Sequence, residues 1–126
     1  KSPSDYSGQK EVVDLIRLDD WVAKNALNTI HFIKMDIEGA ELQAVLGMKQ
    51  VLQKHRPVLF IEIEPLLLKL FGNEPEEIFE ILGALGYEAY EIISPYQIRK
   101  AVKPFADELV IFLPENYVLN NEIKKV

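Results

Sequence analysis

Strands alternating with helices predict an α/β sheet protein, and three features of the sequence carry that expectation. Two near-continuous apolar runs, residues 30–35 (IHFIKM) and 58–63 (VLFIEI), have the composition of strands buried on both faces. Between them about 20 residues hold a helical pattern, which suits a right-handed crossover that lays the two strands parallel. Beyond them come a clearly punctuated helix, an alternating strand and a last apolar run, residues 109–113 (LVIFL), closed by Pro114 and expected to pair antiparallel.

Taken in order, residues 1–10 (KSPSDYSGQK) are small, polar and turn-forming, and read as a flexible lead-in. Residues 12–18 alternate loosely as a short strand, and the pair Asp19, Asp20 before Trp21 suits an N-cap opening a brief helix to about Ala26. After the strand 30–35, residues 40–54 form a helix with Leu42, Val45, Leu46, Met48 and Leu52 on one broad face. Gly47 inside it marks close backbone packing, and Arg56-Pro57 ends it. Residues 66–71 are an apolar cluster that reads as a short packed helix. Asn73 caps the next helix, with Pro75 in its first turn, Ile78, Ile81, Leu82 and Leu85 on one face, and Gly86 as its stop. Residues 87–93 alternate as a strand, an irregular stretch with Pro95 and Pro104 follows, and residues 115–126 form a peripheral tail.

Length and charge narrow the function. With 126 residues, 48% of them hydrophobic, one modest core is expected. The formal net charge of −6 repels phosphate backbones and anionic lipid, so neither nucleic acid nor a membrane is expected as a partner. The absence of cysteine removes disulfides, thiolate nucleophiles and cysteine zinc sites. No apolar stretch approaches the roughly 20 residues that span a bilayer, and a cytoplasmic domain is expected.

Chemistry is expected at the carboxyl ends of the parallel strands, where loops and helix N-termini converge. Asp36 and Glu38 close the first of these strands, Glu62 and Glu64 close the second, and Glu41 lies in the first turn of the helix between them. Such an acidic rim fits a cationic ligand, a hydroxyl that must lose its proton, or a hard metal ion. Gly39, where strand becomes helix, either turns the chain at positive φ or lets a ligand approach backbone N–H groups. Neither G-x-G-x-x-G nor a phosphate-binding G-x-x-x-x-G-K-[ST] occurs. His31 and His55 lie outside this rim and read as structural, as do the strand tyrosines Tyr87 and Tyr90. Tyr96 is read the same way.

Residues 33–64, IKMDIEGAELQAVLGMKQVLQKHRPVLFIEIE, resemble the FkbM-type methyltransferases. The signature is Lys, apolar, Asp, apolar, Glu, Gly, Ala, Glu, then a helix, Arg-Pro and an apolar strand. Its specific part is residues 34–41, and it extends loosely over 12–114. The resemblance implies a Rossmann-like methyltransferase sheet, of which residues 11–114 would be the C-terminal half, and use of S-adenosylmethionine. It also implies O-methylation of a hydroxyl on a sugar or a natural-product scaffold. By the same resemblance Asp36 is the candidate base or donor-orienting acid, Glu38 shares that work, and Asp36 and Gly39 contact the donor. Glu62 and Glu64 would line the acceptor side.

The family's glycine-rich donor loop and ribose-binding acid have no counterpart here, so weak or no binding of S-adenosylmethionine is expected from these residues alone. A sheet lacking its first strands would leave residues 30–35 as an apolar edge, so a homo-oligomer or a covering segment is expected there. Two other readings stand beside the enzyme. One is a non-catalytic pairing module using that edge and the 66–71 cluster. The other is a magnesium or calcium site at Asp36, Glu38, Glu62 and Glu64.

Overall fold

A computed structural model describes residues 11–102 and 108–126. The lead-in 1–10 and Pro104 lie outside the described residues. The chain runs α1 (Leu18–Asn25), β1 (Phe32–Met35), α2 (Glu41–Leu46), α3 (Lys49–His55), β2 (Val58–Ile63), α4 (Pro65–Leu70) and α5 (Pro75–Ala84). It ends with β3 (Tyr87–Ser94), β4 (Gln97–Lys100), β5 (Glu108–Pro114) and β6 (Lys124–Lys125). The strands form one sheet in the order β1-β2-β5-β3-β4-β6. β1 and β2 are parallel, joined by the α2–α3 crossover, while β5 is antiparallel to both β2 and β3, as the sequence led us to expect of the final strand.

All five helices pack on one face. Val22, Val45, Leu52, Leu68, Ile78 and Leu82 meet Met35, Leu59, Ile61, Ile63 and Phe112 in the main core. This corrects the expectation that the strands are buried on both faces. In β2 only Leu59, Ile61 and Ile63 are buried, while Val58 and Phe60 are half-buried and Glu62 is exposed. The far face has a smaller cluster, Tyr90, Ile98, Ile111 and Leu113, against which Leu119 and Ile123 of the C-terminal segment pack. That segment also supplies β6, which pairs parallel with β4. β4 itself falls in the stretch read as irregular, where Ser94 and Gln97 close a hairpin around Pro95-Tyr96.

Several local expectations change. Residues 12–17 are not a strand: among the described residues no partner strand lies beside them, and Val12, Leu15 and Ile16 are exposed. The helix expected over 40–54 breaks after Gly47 into α2 and α3. The break coincides with an exchange of hydrogen bonds with α1. Asp19 N–H donates to the Gly47 carbonyl at 3.0 Å, and the Asp19 carboxylate accepts from Gln50 N–H at 3.2 Å and Val51 N–H at 2.9 Å. Asp19 is therefore not the cap of its own helix, whose N-cap is Arg17, but caps α3 from 31 residues away. A Cβ on Gly47 would meet its nearest neighbours only at ordinary contact distance, 3.4 Å or more, so the close backbone packing expected at this glycine is not found.

Helix α5 starts one residue later than expected, on Glu74, whose N–H donates to the Glu77 carboxylate at 2.9 Å. Asn73 is buried and its amide donates instead to Gln43 at 3.3 Å. At the other end of α5, the Arg56 guanidinium donates to the carbonyls of Leu85 and Gly86 and lies over the Tyr87 ring. Burial pushes the Tyr87 phenol up to about 12, against the opposing pull of Arg56.

Replacing Asp19 by Ala removes the two bonds that cap α3 and is expected to cost about 1–2 kcal/mol in chemical denaturation. Asp20→Ala, at an exposed neighbour, is expected to change stability by less than about 0.5 kcal/mol. Equal effects from the two substitutions would show that the cap is not what Asp19 provides.

Candidate functional site

The parallel register decides where the acids go. Met35 lies opposite Ile61, so the next residues along each strand, Asp36 and Glu62, lie side by side at the carboxyl ends. Asp36, Glu38, Gly39, Glu62 and Glu64, the residues singled out in the sequence, line one cavity of about 20 Å³ together with Glu41 and Leu67. The expected convergence of strand-end acids is thus present, while His31 and His55 are not among the lining residues.

The turn from β1 into α2 is built from two left-handed residues in succession, Glu38 at φ 58° and Gly39 at φ 105°. Gly39 is required here twice over, by its φ and by space. A Cβ on it would sit 2.6 Å from the Leu67 carbonyl oxygen and 2.9 Å from the Phe71 ring. The close approach foreseen at this glycine is made by the backbone of α4. That helix is the short one expected from residues 66–71, with Leu68 fully buried and Leu66, Leu70 and Phe71 exposed.

Glu41 is the residue that sequence reasoning undervalued. It is 2% exposed, and its Oε1 accepts from Ile37 N–H at 3.0 Å, which ties the turn to the helix. Its Oε2 is buried with no hydrogen-bond partner among the described residues. The signal was its place as the last acid of residues 34–41, but a first-turn Glu also has an ordinary use at a helix end.

The electrostatics are those of crowded like charges. The neighbouring Asp36 carboxylate holds the Glu62 carboxyl above the ordinary carboxylate range. Partial desolvation, a hydrogen bond shared with Asp36 and the Glu38 charge push the same way, while Lys34 opposes them. Lys34 pairs with Asp36 at 3.4 Å, but both side chains are well exposed and the pair is weak. Among the described residues no three acids or histidines are placed to hold a metal ion together, so the geometry does not support the magnesium or calcium reading. A larger cavity of about 380 Å³, mostly apolar, borders the same turn through Ile37 and Ala40 and extends to Leu15, Met48 and Phe71.

Carboxylates gathered at parallel strand ends are groups that can accept a proton or attract a cation. A family model described as Methyltransferase FkbM domain matches residues 2–89, and the chain belongs to that family. Over 44 residues it is 43% identical to the 2-O-methyltransferase NoeI of Sinorhizobium fredii (strain NBRC 101917 / NGR234). That match takes in 35% of this chain and 18% of the relative, so it concerns a small part of NoeI. No solved structure matches the chain. Among the described residues no helix is long and apolar enough to cross a membrane.

Because Glu62 is raised by its neighbours, its ionisation opposes folding. That part of stability is fully present below the unfolded carboxylate range and is lost as pH rises through the folded value. Glu62→Gln is therefore expected to raise Tm at pH 7, with the advantage over the parent shrinking as pH falls to 4. A difference in Tm that does not change with pH would remove the like-charge account.

Proposed function

We propose that this chain is part of an S-adenosylmethionine-dependent O-methyltransferase and that its acidic cleft is the acceptor side of the site. The observation that carries this is the Asp36–Glu62 pair, set side by side by the β1–β2 register, with Glu62 raised by its neighbour. Methyl transfer to a hydroxyl oxygen releases a proton, and a carboxylate held near that oxygen is the group to take it. In this reading Asp36 is the base, Glu38 orients the hydroxyl from the adjoining turn, and Glu62 and Glu64 line the acceptor. A hydroxyl on a sugar or natural-product scaffold is the proposed acceptor, by analogy with the family and, for methylation at oxygen, with the 2-O-methyltransferase NoeI. The Rossmann-like sheet, of which this would be the C-terminal half, and the cytoplasmic setting belong to the same proposal.

The acid-lined cavity does not by itself fit the methyl donor. The acid-lined cavity takes a group of about the size of a water, not a nucleoside, and the space beside Gly39 is filled by α4. Asp36 and Gly39 therefore remain proposed donor contacts at most, and what these residues supply is acceptor orientation and proton removal. A second reading, a non-catalytic module that pairs through a sheet edge with another copy, draws on β1. That strand stands at the edge of the described sheet with Phe32 half exposed. Against it, the edge is four residues long and carries Lys34, both of which discourage strand addition.

Calorimetry on these 126 residues is expected to show weak or no binding of S-adenosylmethionine, and micromolar affinity would overturn that part of the reading. In the full-length gene product, Asp36→Asn is expected to lower kcat about 10²- to 10⁴-fold, the span of a general base. Unchanged transfer of labelled methyl to the acceptor would remove Asp36 from the chemistry.

A further inference from the structure

The buried Glu41 carboxylate is an acid of the cleft to which the proposed methyl transfer gives no role. Its Oε1 is committed to Ile37 N–H, while Oε2 is buried without a partner among the described residues, on a side chain that lines the acid-walled cavity. A buried polar oxygen left so is costly unless a donor completes it. Five carboxylates, Asp36, Glu38, Glu41, Glu62 and Glu64, wall the same space, and Lys34 sits beside Asp36 at its outer rim.

We propose that this cavity receives the primary ammonium of an amine-bearing ligand, with Glu41 Oε2 as its innermost acceptor. The inference deepens the acceptor reading above and rests on it for the ligand's role, naming the acceptor as an amino alcohol or amino sugar. Size and chemistry both favour an ammonium. The cavity of about 20 Å³ exceeds the roughly 10–15 Å³ that a water needs, and an ammonium group is of similar size. Such a group has three N–H donors to distribute among several acceptors. A divalent ion requires several oxygens at fixed short distances, and no three acids among the described residues are so placed. An anionic acceptor, such as a sugar phosphate, is repelled by the same walls.

The test needs no methyl donor, so failure of methyl transfer and failure of this site are separate results. Glucosamine and glucose differ at one position by ammonium against hydroxyl. Titrated into the ¹⁵N-labelled chain, glucosamine is expected to shift the amides of Ile37, Gly39, Glu41 and Glu62, saturating at millimolar concentration, while glucose leaves them unmoved. Glu41→Gln, which keeps an oxygen for Ile37 N–H, is expected to weaken glucosamine at least tenfold. If that variant does not fold, Glu62→Gln, at an exposed position, is expected to weaken it about threefold. Equal shifts from both sugars, or none from either, would overturn the proposal. Saturation of the same amides by micromolar magnesium chloride alone would overturn it in favour of a metal site.

Discussion

The pairing of β1 with β2 is the constraint on which the site depends. On β2 every second side chain, Leu59, Ile61 and Ile63, is buried under the helices. The period of two then leaves Glu62 on the opposite face. A one-residue slip would drive Glu62 into the core and expose three large aliphatic side chains. At about 1.5–3 kcal/mol for each such side chain, the burial outweighs the repulsion between two solvent-facing carboxylates. The acids are thus held together by the apolar residues between them, and their proximity is a by-product of the register.

Two turns then close the cleft against each other. The β1–α2 turn is clamped from within by Glu41 on Ile37 and from outside by α4, whose Leu67 carbonyl occupies the place of a side chain at Gly39. Helix α4 is seated by Leu68 in the core and followed by Asn73, which is bonded both to the Leu68 carbonyl and to Gln43 of α2. Glu38 and Glu64, at the two turns, are therefore positioned by backbone that has little room to move. On the far side of α2, the Asp19 exchange with Gly47, Gln50 and Val51 locks the bend of the crossover.

What could be read from the sequence was what depends on near neighbours. Runs of apolar residues ending in acid marked β1 and β2, and Pro75, Glu77 and Gly86 marked α5, because those signals act within one turn or one strand. The misreadings share a long-range cause. Asp19 carries the same letters as a local cap, yet its partners lie in α3. Residues 12–17 have strand-like alternation, but alternation makes a strand only where a neighbour accepts its hydrogen bonds. Burial on both faces was inferred from composition, whereas the helices fall on one side and the far face is covered by a stretch near Leu119 and Ile123 that no local pattern announces. Glu41 was underrated for the reverse reason. A familiar local use was available for it, and only its burial shows that one oxygen serves the turn while the other does not.

The crowding that costs the fold stability is also what would suit the cleft to its proposed work. An isolated carboxylate is a feeble base toward a hydroxyl, because its affinity for a proton lies far below neutrality. Crowding by Asp36 and Glu38 raises the affinity of Glu62 for a proton, since that proton relieves repulsion as well as forming a bond. Lys34 limits the effect from the rim, and withdrawing its charge would raise Glu62 further. A positive group entering beside Glu41 acts in the opposite sense: it relieves the same repulsion without a proton and favours the ionised form of Glu62, the form that can accept one. Binding and proton removal would then be coupled through the shared charge of the acids, with no movement of the backbone required.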